Sequence, residues 1–223
     1  MARLEAAVFD LDGLMIDSEP LQWRATNLAL RPLGIQIDEQ QWMRMVGRRT
    51  IDNLERLRET YGLEADLQEV ERVKDEAYRR LIKQDVRPMP GLHAAMDVCR
   101  RAGLDLALAS CSVRADVEIV LNSLGLNGSF RVVVTGADVS IGKPDPQIFL
   151  ETARRLRVDP CECVALEDTA YGVAAAKTAG MLCIAVPNRF TVDQDFDLAD
   201  VVLHSLTELD LDTLNGLQDD IHG

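Results

Sequence analysis

Between about residues 86 and 210 the chain alternates helical and strand-like patterns, and this constrains its fold more than any other feature. Leu92, Ala95, Met96 and Cys99 have helical spacing, and a strand follows over 104–109. A helix over 113–124 leads to a strand at 131–135, and one over 146–156 to a strand at 163–167. A helix over 169–179 leads to a strand at 182–186, and Val201-Val202-Leu203 reads as a last short strand. Helical crossovers make successive strands parallel. The expected architecture is therefore α/β, a doubly wound parallel sheet with helices on both faces. Such sheets build their sites at the C-terminal ends of the strands.

Three strand ends and one loop carry polar groups. Ala7-Val8-Phe9 runs into Asp10-Leu11-Asp12-Gly13. Strand side chains alternate, so Asp10 can face a reacting centre while Asp12 emerges on the turn. One carboxylate can then attack as a nucleophile while the other handles protons. The same letters also suit a plain turn. Leu106-Ala-Leu-Ala-Ser110-Cys111-Ser112 precedes a helix; a hydroxyl and free backbone N–H groups there form an anion site, or Ser110 is only an N-cap. Gly142-Lys143-Pro144-Asp145-Pro146 either places a cation rigidly for a phosphate or is a solvated lysine in a loop. Cys163-Val-Ala-Leu-Glu167-Asp168-Thr169 ends in adjacent acids at a helix start. With Asp10 and Asp12 they look like hard oxygen ligands for Mg²⁺.

Electrostatics ties these segments into one site. Two carboxylates about 4 Å apart repel by about 4 kcal/mol at an effective dielectric of about 20. Four in one pocket require cations, or one acid held protonated. Mg²⁺ and Lys143 are the expected cations, and Asp12 the expected proton carrier.

In order, Phe-Asp-Leu-Asp-Gly, Ala-Ser-Cys-Ser, Gly-Lys-Pro-Asp-Pro and Leu-Glu-Asp-Thr resemble the four motifs of the haloacid dehalogenase superfamily of phosphohydrolases. The longer string Phe9–Pro20 is similar to the β-phosphoglucomutase-like branch, which includes sugar-phosphate phosphatases. The resemblance implies a Rossmann-like core and an Mg²⁺-dependent phosphatase of a small phosphate ester. Asp10 would form an aspartyl-phosphate. Asp12 would protonate the leaving alcohol and then activate water. Mg²⁺ would be held by the Asp10 carboxylate, the Asp12 backbone carbonyl and Asp168, with Glu167 binding it or supporting its ligands. Ser110, the Cys111 N–H and Lys143 would hold the phosphoryl group.

Residues between the first strand and about 86 lack strand alternation. Ile51, Leu54, Leu57 and Tyr61, then Leu67, Val70, Val73, Ala77 and Leu81, follow helical spacing, as do parts of 20–31. This predicts an all-helical cap over 16–85, inserted into a core of 1–15 and 86–223, with hinges near 14–19 and 85–90. Trp23, Trp42 and Tyr61 are expected in the cap's core. Specificity should come from the cap. Arg48 and Arg49 either grip a sugar hydroxyl or second phosphate or are solvated; Glu19 and Gln22 are further candidate contacts. The hexose mutase of this branch carries a histidine where this chain has Gln22 and a lysine where it has Val46, so the expectation is a hydrolase. Lys74 and Lys83 look too far down the insert to act as Schiff-base lysines. The alternatives are the mutase, or a phosphate-binding regulatory domain without turnover.

The formal net charge of −13, from 37 acidic and 24 basic residues, disfavours nucleic acid or an anionic membrane as partner. A monomer is expected. Cys161-Glu-Cys163 lacks the two-residue spacing of common zinc and redox motifs, so free cytosolic thiols are expected among the five cysteines. No signal-peptide pattern is visible, nor an apolar run of the ~18 residues a membrane span needs. A cytoplasmic enzyme is the expectation.

Overall fold

The structure, a computed structural model, describes residues 3–48 and 50–220. Its elements are β1 (Ala6–Phe9), α1 (Glu19–Leu30), α2 (Glu39–Met43), α3 (Thr50–Tyr61), α4 (Leu67–Asp85), α5 (Leu92–Arg101), β2 (Asp105–Ser110) and α6 (Arg114–Ser123). They continue with β3 (Val132–Thr135), α7 (Gln147–Leu156), β4 (Cys163–Glu167), α8 (Ala170–Thr178), β5 (Leu182–Ala185), β6 (Val201–Val202) and α9 (Leu211–Asp220). The six strands form one sheet in the order β3-β2-β1-β4-β5-β6, and every pair is parallel. The sequence expectation of a doubly wound α/β sheet holds.

Alternation along the strands splits the core into two layers. Phe9, Leu106, Leu108, Val164 and Leu166 face one side, where α5 and α6 add Leu92, Met96, Val117 and Val120. Ala6, Val8, Ala107, Ala109, Cys163 and Ala165 face the other, where α7 and α8 pack. That second face is built of small side chains, and α8 meets it with Ala175 and Ala176. Both faces are covered, as a parallel sheet requires.

Two helices escaped the sequence reading. Helix α2 has five residues, too few for a period; its one signal is the Asp38–Gln41 capping box. Helix α9 lies past residue 210, and buries Leu214 and Leu217 at a spacing of three.

Helices α1 to α4 follow β1 and have an apolar cluster of their own, including Leu30, Ile37, Trp42, Val46, Leu54 and Leu57. Leu21 and Ala25 of α1, and Ala77, Tyr78, Leu81 and Ile82 of α4, join the sheet's cluster instead. The insert therefore shares part of its apolar surface with the core. Tyr61, expected inside, is 41% exposed and accepts a hydrogen bond from Gln41 Nε2 at 2.7 Å. The two connecting segments run side by side: Asp17 N donates to Arg87 O at 3.0 Å and Met89 N to Met15 O at 2.9 Å. All five cysteines are free thiols. Among the described residues no helix is long and apolar enough to cross a membrane.

Candidate active site

Strand register assembles the site. Phe9 lies level with Leu108 of β2 and Leu166 of β4. The next residues, Asp10, Ala109 and Glu167, therefore emerge together at the C-terminal edge. Asp168 follows Glu167, and α8 starts at once, with Thr169 Oγ1 capping Gly172 N at 3.0 Å. A Cβ on Gly172 would lie 2.0 Å from the Glu167 carboxylate, so only glycine lets α8 come this close.

Oxygens of Asp10, Glu167 and Asp168 all lie within 4.8 Å of one another, and all three residues are buried. Lys143 meets them. Its Nζ pairs with Asp10, lies 2.5 Å from Glu167 Oε1 and donates to Ala109 O at 3.2 Å. Burial pushes Asp10 up to about 8, with Lys143 pulling it down and Glu167 and Asp12 adding to the rise. Burial, then the Asp10 and Glu167 charges, hold Asp168 well above the carboxylate range. The same acids hold the Lys143 ammonium protonated, against its desolvation. One lysine does not compensate three buried acids. Hard oxygen donors in surplus negative charge fit a divalent cation such as Mg²⁺.

The Asp12 side chain turns away from this cluster. Tyr78 Oη donates to its Oδ1 at 2.9 Å, and Ser112 Oγ lies 2.6 Å from Oδ2. Burial and the Asp12 charge raise Tyr78 well above its ordinary value, so its phenol keeps the proton it donates. Ser110 is buried beneath. Its Oγ accepts from Ser112 N at 3.0 Å and lies 3.5 Å from Asp12 Oδ2. Thus Ser112, rather than Ser110, lines the cavity here, beside Cys111.

That cavity, about 420 Å³, lies between the sheet edge and the helical insert, within the range of small-molecule sites. Asp10, Asp12, Cys111, Lys143, Glu167 and Asp168 line it from the core, and Glu19, Gln22 and Arg48 from the insert. Arg49 lies outside the described residues. Glu19 accepts from Trp42 Nε1 at 2.9 Å. Burial and the Asp12 charge push Glu19 up to about 7. Lys74 does not lie away from the site, contrary to the sequence expectation. It is buried, lines the cavity and lies 3.3 Å from Thr50 Oγ1. Helix α4 crosses the cavity, and residues 71, 74, 75 and 78 share its inner face.

Sequence reasoning missed Ser112, Lys74, Tyr78, Asn53 and Asn188. Asn188 had a usable signal: a polar residue just past an apolar strand, like three of the four motifs. Its Nδ2 donates to Asp168 Oδ2 at 2.8 Å and Gly13 O at 3.1 Å. Tyr78 stands one helical turn after Lys74 among ordinary core spacings, and nothing local marks it.

Residues 7–186 match the haloacid dehalogenase-like hydrolase family. Hexitol phosphatase B of Escherichia coli (strain K12) is 38% identical over 219 residues, 96% of this chain and 98% of that protein. The crystal structure of CbbY from Rhodobacter sphaeroides in complex with phosphate superimposes with a TM-score of 0.85 at 29% identity, covering 95% of this chain and 99% of that one. β-Phosphoglucomutase from Clostridium difficile gives 0.82 at 25% identity, covering 97% and 98%.

Proposed function

The chain belongs to the haloacid dehalogenase-like hydrolase family, and from this premise we propose an Mg²⁺-dependent phosphatase of small, hydroxyl-rich phosphate esters, sugar or sugar-alcohol phosphates. The buried Asp10–Glu167–Asp168 cluster around Lys143, opening with Asp12 onto one cavity, carries the reading. Asp10 attacks phosphorus and the alkoxide leaves. Asp12 gives the leaving oxygen its proton, then takes one from the water that cleaves the aspartyl-phosphate. Tyr78 and Ser112 orient Asp12 for both steps. Lys143 and the Cys111 N–H hold the phosphoryl oxygens. Asp10, the Asp12 carbonyl, Glu167 and Asp168 would hold Mg²⁺, which neutralises charge on the transferring group.

Residues 16–85 act as a cap on a core of 1–15 and 86–223 and select the substrate. The insert's wall is rich in acceptors. Asn53 Oδ1 and Gln22 Oε1 are buried without a hydrogen-bond partner, and Glu19 adds a carboxyl. Asn53 Nδ2 donates to Met45 O at 2.9 Å, which fixes the direction of its amide. Buried acceptors want donors, and a substrate's hydroxyls supply them. Hexitol phosphatase B supports the same class. Free thiols and a net charge of −13 support a cytoplasmic monomer acting on metabolites rather than nucleic acid or membranes.

Val46 lines the cavity with a side chain that donates no hydrogen bond and Gln22 is no imidazole, so hydrolysis is favoured over phosphoryl return. The test is phosphate release from a panel of phosphorylated metabolites, with Mg²⁺ and in excess EDTA. Phosphorus NMR with β-glucose 1-phosphate and a trace of the 1,6-bisphosphate runs alongside. Free phosphate should appear only with Mg²⁺. Faster conversion to glucose 6-phosphate would establish a mutase, and full activity in EDTA would remove the metal from the reading.

A further inference from the structure

We propose that Asn188 is the positioning residue for Asp168, and that its hold depends on Phe190 being seated in the apolar core of the helical insert. Cation affinity and seating of the insert are then one linked equilibrium. The inference rests on the reading of Asp168 as a metal ligand.

The loop after β5 contains both residues. The Asn188 amide is pinned at each end. Its Nδ2 donates to Asp168 Oδ2 and to Gly13 O, so it ties the β4 acid to the turn that carries Asp10 and Asp12. Its Oδ1 accepts from the backbone N–H of Phe190 at 2.8 Å, and its own N–H donates to Thr191 Oγ1 at 2.9 Å. The amide therefore has one orientation, set by where the Phe190 backbone lies. Gly13 leaves it room: a Cβ there would lie 2.1 Å from Asp168 Oδ2 and 2.8 Å from Asn188 Nδ2.

Phe190 belongs to neither layer of the sheet's core. It is 3% exposed and buried in the insert's cluster with Ile37, Trp42 and Val46. Arg189 stacks on its ring, 4.3 Å from the centroid, and reaches Glu39 of α2 at 3.3 Å. The loop thus plugs into the insert with a large aromatic side chain. Two residues earlier it grips a carboxylate of the acid cluster. Withdrawing Phe190 moves the N–H that fixes Asn188, and Asp168 loses its one neutral donor from this loop. Linkage works both ways: a cation that needs Asp168 in place also favours the seated insert.

The test uses Mn²⁺ as the probe, with its binding read by electron paramagnetic resonance of the free ion, so no turnover is involved. Asn188→Ala should weaken Mn²⁺ about tenfold, the low end for losing a group that orients a metal ligand. Phe190→Ala touches no acid, yet should weaken Mn²⁺ too. The double variant should bind no worse than Asn188→Ala alone, because the two act through one contact. A folded Phe190→Ala with wild-type affinity, or effects that multiply in the double variant, overturns the coupling. Unchanged affinity in Asn188→Ala overturns the positioning role. Should Phe190→Ala fail to fold, tryptophan emission decides. Both tryptophans, Trp23 and Trp42, lie in the insert. Saturating Mg²⁺ should change emission in the wild type and not in Asn188→Ala; no change in the wild type overturns the linkage. A wild type that binds no Mn²⁺ at all would instead refute the metal reading beneath it.

Discussion

Glu19→Gln should make the protein more stable at pH 8 and nearly neutral in effect at pH 4.5. Glu19 is 8% exposed, faces Asp12 and Asp17, and has Lys74 as its cation. Burial, then the Asp12 charge, lifts it from 4.5 to about 7. The folded state therefore binds the Glu19 proton more tightly than the unfolded chain does. Its contribution is fully present below 4.5 and falls as pH rises through about 7. A rise of this size corresponds to about 3 kcal/mol, at 1.36 kcal/mol for each pH unit. Glutamine keeps the acceptor for Trp42 Nε1 and removes the titration. The assay is urea unfolding of both proteins from pH 4.5 to 8 in EDTA, so that no cation competes. The difference between them should grow by about 3 kcal/mol in favour of the variant, mostly between pH 5 and 7. A constant difference, or one that moves the other way, would show that Glu19 is not held neutral by burial.

Asp10→Asn should abolish phosphate release while keeping the fold, since an amide neither attacks phosphorus nor balances a cation; normal turnover in the folded variant refutes the nucleophile. Lys74→Ala should raise KM for sugar phosphates and leave a small aryl phosphate nearly unchanged, because Lys74 lines the insert side of the cavity. Equal losses on both substrates would make it structural. Gly13→Ala should cost about 1–2 kcal/mol from its φ of +85° alone, and more than tenfold in kcat through the clash with Asp168, read by urea unfolding and steady-state rates. Wild-type kcat would mean that the turn tolerates the methyl.

The alternation of strand and helix determined the sheet, its parallel sense and the edge that carries the site, because a buried parallel strand needs a short apolar run and a crossover helix. Asp10, Lys143, Glu167 and Asp168 were legible for the same reason: each stands at or near the end of such a run, or in a proline-bounded loop. What the residues could not say is which side chains meet across the cavity. Tyr78 lies 66 positions from Asp12, and Asn188 lies 20 from Asp168. Lys74 looked remote because distance along the chain says nothing of where a helix of 19 residues crosses. Phe190 reads as an ordinary loop aromatic, and only packing assigns it to the insert's core. Local periodicity sets each element's buried face, but contacts between elements depend on the angles at which they dock. Those angles come from the whole set of buried side chains at once, and they decided the partners of Asp12 and Asp168.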